Sequence, residues 1–357
     1  MRRRERQTWL MFFVLPAVAC MLAIVAWTWW AERHPSMERE LREQAYDQLA
    51  TWFPEEMALP EGQRGFIVRT TPDGVAHPGP QVLLLHGLDE PGGIWDDLVP
   101  VLEAAGIAAW EYRYPNDQAI DRSADLLADD WPELPDDAPV VLVGHSMGGL
   151  VIRDFVTRWR YPSGSAEAES SALSNTAPVR GAVMVGTPNH GSEWARLRVW
   201  LELRNLVSTL QERRFSLFAS LRDGTGAAKI DLRPGSAFLA DLNAREWPEP
   251  VPVRIIGGLI SEPTEDMIEG FAALSSELGG EAFPQALQEW WYELGGNLGD
   301  GVVPVASLAL PEAPPPVIVN ASHRGMLTRT PLEDDEPPAI AEILAVLDEW
   351  LEAPPEP

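Results

Sequence analysis

The feature that most constrains this chain is a turn. Gly144-His145-Ser146-Met147-Gly148-Gly149 directly follows the apolar run Pro139–Val143 and directly precedes the amphipathic run Leu150–Trp159. The pattern predicts a strand, a sharp turn and a helix, with a serine at the apex. Glycines two residues before and two after Ser146 leave room for a strained backbone that lifts the hydroxyl out of a sheet. Met147 then opens the helix, where its backbone N–H is available to a developing oxyanion. An isolated Gly-x-Ser-x-Gly match is a weak sign, because ordinary glycine-rich turns carry it too. Its position between strand and helix gives this one weight.

From that turn the pattern extends in both directions. Apolar runs expected as strands are Gly65–Thr70, Gln81–Leu85, Ala108–Tyr112, Val140–Val143, Val179–Val185, Val253–Ile260 and Val317–Asn320. Helical spacing covers Trp95–Ala105, Ala119–Ala128, Leu150–Trp159 and Ala339–Leu351. Short, continuously apolar strands alternating with helices imply an α/β protein whose mostly parallel sheet is covered on both faces. The expected domain is 64–352, followed by a tail at 353–357. Two stretches break the rhythm, Glu193–Leu221 and Met267–Leu294. They are read as helical cap insertions within about 193–250 and 261–297, above the strand ends where ligands bind in such sheets.

The N-terminus reads differently. Four arginines fall within the first six residues, and no charge follows until Glu32. At about 1.5 Å per residue, Trp9–Trp30 would span roughly 33 Å, enough for a bilayer core. Residues 1–31 are therefore expected to be a single-pass transmembrane anchor, with the arginines cytoplasmic and the rest periplasmic or extracellular. Residues 32–63 should then be a juxtamembrane helix and linker, capped by Ser36, with Met37, Leu41, Ala45, Leu49 and Trp52 on one face.

Composition excludes some functions. The net charge is −27, and Lys229 is the only lysine. Such a surface repels nucleic acid, so no nucleic-acid partner is expected. The single cysteine, Cys20, lies in the apolar N-terminal run. The remainder thus offers neither a disulfide nor a thiolate metal site.

A serine hydroxyl is a poor nucleophile near neutral pH and needs a base within reach. Of six histidines, His34 is juxtamembrane, His77 sits in a Pro/Gly turn, and His86 and His145 are held in tight turns. His190 lies in a loop after a strand. His323 follows the last expected strand and precedes the final helix, which makes it the expected base. A carboxylate should fix its tautomer. Asp300, in Gly299-Asp300-Gly301-Val302-Val303-Pro304, leads, with Glu262 and Asp266 as rivals. The oxyanion donors expected are the N–H groups of Met147 and Leu88.

At these residues the chain resembles the lipase and esterase branch of the α/β-hydrolase superfamily, and its motifs look like those of bacterial triacylglycerol lipases and GPI inositol-deacylase-like proteins. The resemblance rests on Leu85-His86-Gly87-Leu88, Gly144–Gly149, Gly186-Thr187-Pro188-Asn189-His190-Gly191-Ser192 and Gly299–Pro304, in that order. It implies the α/β-hydrolase fold and hydrolysis of an ester or lipid substrate, with Ser146 as nucleophile, Asp300 as acid and His323 as base. Leu88 and Met147 would be the oxyanion donors, and His190 and Gly191 part of a structural loop. No cofactor or metal ion is implied. Acyl transfer by the same triad, or a non-catalytic assembly role, are the alternatives.

Overall fold

Val82-Leu83-Leu84-Leu85 shows how the sheet divides its side chains. Val82 and Leu84 enter one apolar cluster, Leu83 and Leu85 the other. A period of two sends alternate residues to opposite faces, and both faces here are dry. The computed structural model describes residues 15–71, 79–90, 92–135, 139–162, 173, 176–197, 221–260, 297–311, 313–329 and 336–352.

The described residues form one seven-stranded sheet. Its strands are β1 (Gly65–Thr70), β2 (Val82–Leu85), β3 (Ala109–Arg113), β4 (Val140–His145), β5 (Val179–Val185), β6 (Val253–Gly258) and β7 (Val317–Val319), in the order β1-β3-β2-β4-β5-β6-β7. β1 runs antiparallel to β3, and every other pairing is parallel. The helices that bear on the argument are α1 (Leu15–Arg33), α2 (Pro35–Trp52), α3 (Leu98–Ala104), α4 (Ile120–Asp130), α5 (Met147–Asp154), α6 (Ala227–Asp231), α7 (Ala237–Asn243) and α8 (Pro338–Glu352).

One face of the sheet is covered by α4 and α5 through Ile120, Ala124, Leu127, Leu150 and Val151. α3 and α8 cover the other through Leu98, Leu102, Ile343, Leu347 and Trp350. This is the doubly covered α/β architecture expected from the strand–helix rhythm. α5 starts at Met147, as the turn requires, and departs from the expected Leu150–Trp159 run only in ending at Asp154, where a wider π turn, Phe155–Arg160, takes over.

The N-terminal expectation is not met by what is described. α1 continues past the apolar run to Arg33, and Trp9–Val14 lies outside the described residues. Among the described residues, no helix is long and apolar enough to cross a membrane.

α2 also corrects two readings. His34 rather than Ser36 occupies the cap position, with Pro35 as the first helical residue. Met37, Leu41 and Trp52 are exposed, so the apolar stripe faces outward. The polar side docks instead. Arg39 Nε lies 2.7 Å from Asp231 and Nη2 lies 2.7 Å from Asp121, Arg42 bonds to the Thr225 carbonyl, and Glu38 is almost wholly buried. Hydrophobic spacing fixes which residues share a face, but the partners decide which face is covered.

Of the expected caps, 198–220 and 261–296 lie outside the described residues, as do the rival carboxylates Glu262 and Asp266. Within 193–250, Ala228, Leu232, Phe238, Leu239 and Leu242 join the core cluster on the α4–α5 face. Trp194 is exposed.

Candidate active site

β4 delivers Ser146 to the carboxyl edge of the sheet, and α5 begins with the next residue. Ser146 has φ 54° and ψ −123°, one of two non-glycine residues with positive φ among those described. Such a conformation costs about 1–3 kcal/mol and persists only where its surroundings enforce it. The Ser146 N–H donates to the Val185 carbonyl (2.8 Å), which pins the apex to β5. The flanking glycines make the turn possible by close packing. A Cβ on Gly144 would lie 2.6 Å from the Gly149 nitrogen. One on Gly148 would collide with the Leu85 carbonyl oxygen and lie 2.7 Å from that of His86.

The loop after β2 presses on the same point. A Cβ on Gly87 would lie 2.9 Å from that of Ser146, so the segment leading into Leu88 is held against the serine. Leu88 packs, half-buried, on the main core. Met147 is the first residue of α5, and its N–H is among those that an α-helix leaves without an intrahelical partner.

Asp300 and His323 meet. The imidazole Nδ1 lies 2.7 Å from Asp300 Oδ2, and the His323 N–H donates to the Asp300 carbonyl (2.9 Å). The other carboxylate oxygen accepts N–H bonds from Val302 (2.9 Å) and Val303 (2.7 Å). Asp300 is buried and seated over the end of β6, where a Cβ on Gly258 would come within 2.7 Å of its own. His323 lies beside the ends of β4 and β5. A Cβ on Gly186 would be 3.1 Å from its Cε1, and its ring centroid is 4.7 Å from that of His145.

Three residues outside the expected set belong to this cluster. His145 Nε2 is 3.1 Å from the His323 carbonyl oxygen, and its Nδ1 is 3.2 Å from Glu90 Oε2, though out of line for a hydrogen bond. The second Glu90 oxygen accepts from Arg324. Burial works against charge on Glu90, yet His145 and Arg324 hold its carboxyl below the usual range. Burial also lowers His145, partly opposed by Glu90. Their sequence signal was slight. Glu90 ends the His86–Glu90 loop and Arg324 follows His323, but nothing in the spacing joins residues so far apart.

His190 is exposed, and its neighbours are structural. Asn189, wholly buried, accepts from Arg153 (3.1 Å) and donates to the Leu308 carbonyl (2.7 Å). His86 is buried against Tyr114 and faces a cavity of about 440 Å³ walled also by Asp89, Asn116 and Asp223. Among the described residues, no group of three or more His, Cys, Asp or Glu side chains is placed to hold a metal ion.

A serine on a strained strand–helix turn and a carboxylate-bound histidine at the same sheet edge are the hallmarks of one hydrolase class. The model of the alpha/beta hydrolase family matches residues 82–350, and the chain belongs to that family. It is similar to protein phosphatase methylesterase 1 of Gibberella zeae, 30% identical over 131 residues. That match covers 29% of this chain and 31% of the relative's length. Among solved structures, the Staphylococcus hyicus lipase aligns with a TM-score of 0.50 at 13% identity, over 79% of this chain and 97% of the lipase. A metagenomic carboxyl esterase aligns with a TM-score of 0.49 at 21% identity, over 82% and 80% of the two chains.

Proposed function

We propose that the protein is a serine hydrolase of carboxylic esters, with lipid acyl esters as the substrate class, working through an acyl-enzyme. The observation that carries this reading is the Asp300–His323 pair beside the turn that holds Ser146. With Nδ1–H bound to Asp300, the free Nε2 is the acceptor for the Ser146 proton as the hydroxyl attacks the ester carbonyl. The tetrahedral oxyanion is met by the N–H groups of Leu88 and Met147, each such donor being worth about 10²–10³ in turnover. The alcohol leaves with the proton from His323, and water activated by the same imidazole then releases the acid.

In this reading the N-terminal segment binds a membrane, with the hydrolase domain on the periplasmic or extracellular side. The support is its arginine-led apolar sequence and the exposure of Met21, Leu22, Ile24, Val25, Trp27 and Trp29 on α1. Retention of the full chain in membranes after alkaline carbonate washing, and its release on deleting residues 1–31, tests that placement.

The catalytic reading is tested with short p-nitrophenyl esters and a fluorophosphonate probe. The wild-type chain should hydrolyse the ester and be labelled at Ser146, and Ser146→Ala should lose both while remaining folded. Undiminished turnover by folded Ser146→Ala would refute the assignment.

A further inference from the structure

Glu90, His145 and Arg324 form a polar cluster that the triad chemistry itself does not use. Each is the neighbour of a working part. Glu90 ends the loop that carries Leu88, His145 precedes Ser146, and Arg324 follows His323. Glu90 is buried and divides its carboxylate between the other two, one oxygen to Arg324 and one facing His145 Nδ1 at 3.2 Å. His145 passes the contact on, since its Nε2 lies 3.1 Å from the main-chain carbonyl of His323. His145 is 1% exposed and Glu90 9%. Side chains this buried cannot exchange these contacts for water without opening the site.

The ring nitrogens of His145 therefore face two acceptors, a carbonyl and a carboxylate. A neutral imidazole has one N–H and satisfies only one of them. With its N–H on Nε2 the ring meets the His323 carbonyl, and Nδ1 is left facing Glu90 Oε2 at 3.2 Å without a hydrogen bond. The arrangement is a second carboxylate–imidazole contact, set against the backbone of His323 while Asp300 holds its ring.

Resting on the serine-hydrolase reading above, we infer that Glu90 and His145 are positioning residues that fix the Leu88 loop, the Ser146 turn and the His323 loop relative to one another. They touch neither substrate nor the reacting atoms. Their effect falls on alignment, where a displacement of about 1 Å can cost about 10²-fold in rate.

The test uses the full chain, p-nitrophenyl butyrate, a fluorophosphonate probe and amide hydrogen exchange. Glu90→Gln keeps the shape and removes the charge. It should lower kcat and the rate of Ser146 labelling together, by about 10- to 100-fold, with KM little changed. Exchange should rise both around Glu90 and around His323, and not in β4 or β5. His145→Gln places an amide N–H near the Nε2 position and should retain more kcat than His145→Asn, which does not reach the His323 carbonyl. Arg324→Gln, at an exposed side chain, gives a variant expected to fold even if the buried ones do not, and should raise exchange in the same two loops. Unchanged kcat and exchange in folded Glu90→Gln or Arg324→Gln would overturn the inference. A wild-type chain without esterase activity or labelling would sink the hydrolase reading instead, while exchange would still report whether Glu90 ties the loops.

Discussion

Asp300 holds His323 twice, by its carboxylate on Nδ1 at 2.7 Å and by its carbonyl on the His323 N–H at 2.9 Å. One residue thus fixes both the ring and the backbone of the histidine. The carboxylate's remaining oxygen is committed to the N–H groups of Val302 and Val303. Asp300→Asn must keep its amide oxygen on those two donors, which turns its NH₂ toward His323 Nδ1. The imidazole is then driven to the tautomer with Nε2–H, which cannot accept the Ser146 proton. We expect kcat on p-nitrophenyl butyrate to fall about 10⁴-fold with the melting temperature nearly unchanged. A drop of less than tenfold would show that Asp300 does not set the tautomer.

Gly148 faces the backbone carbonyls of Leu85 and His86, neither of which can move without shifting β2. Gly148→Ala should therefore displace the Ser146 turn or the Leu88 loop. Loss of fluorophosphonate labelling, accompanied by a lowered melting temperature, is the expected outcome. Normal labelling kinetics would show that the turn tolerates a methyl group.

Asn189 is expected to act through stability alone. It and Asn243 together accept from the buried Arg153, whose guanidinium burial and nearby Arg245 bring down to about 9. Asn189→Ala leaves an Arg153 N–H and the Leu308 carbonyl without partners. Urea denaturation should register a loss of about 3 kcal/mol, with kcat of the folded fraction close to wild type.

Asp117 gives the protein a dependence on pH unrelated to catalysis. Burial raises its carboxyl from 3.8 to about 6, against the pull of Lys229 at 3.0 Å. In the unfolded chain the group ionises near 3.8, so between 3.8 and about 6 the folded state holds the extra proton. Its contribution is complete below that window, is lost as pH rises through it, and levels off above. Wild type should therefore lose stability relative to Asp117→Asn between pH 4 and 6, on the order of 2 kcal/mol once its 18% side-chain exposure is allowed for. Denaturation curves at half-unit pH steps would show it, and parallel pH profiles would exclude it.

Particular residues show how much was legible. The strands at Gly65–Thr70 and Val179–Val185 begin and end where the patterning places them; β5 is almost wholly buried between the two helix layers, whereas β1, at the sheet edge, leaves Val68 exposed. The Ser146 turn was legible because it demands glycine at fixed offsets, and the Asp300–His323 contact because Asp300 has small neighbours and an apolar run after it while His323 follows the last strand. Glu90 and Arg324 were not. They look like solvated charges until the fold brings residues 234 positions apart into contact. α2 was half legible: its stripe of Met37, Leu41 and Trp52 is periodic, yet the polar side is the one that docks.

By itself, then, the sequence determined the local geometry. Periodicity, glycine placement and turn residues act over a few positions, and they set the strands, the helices and the strained serine. Only the tertiary structure decided the antiparallel entry of β1, the outward face of α2, and the Glu90 contacts behind His145. Those depend on which buried charges find partners across the chain, and burial without a partner costs more than any local preference can offset.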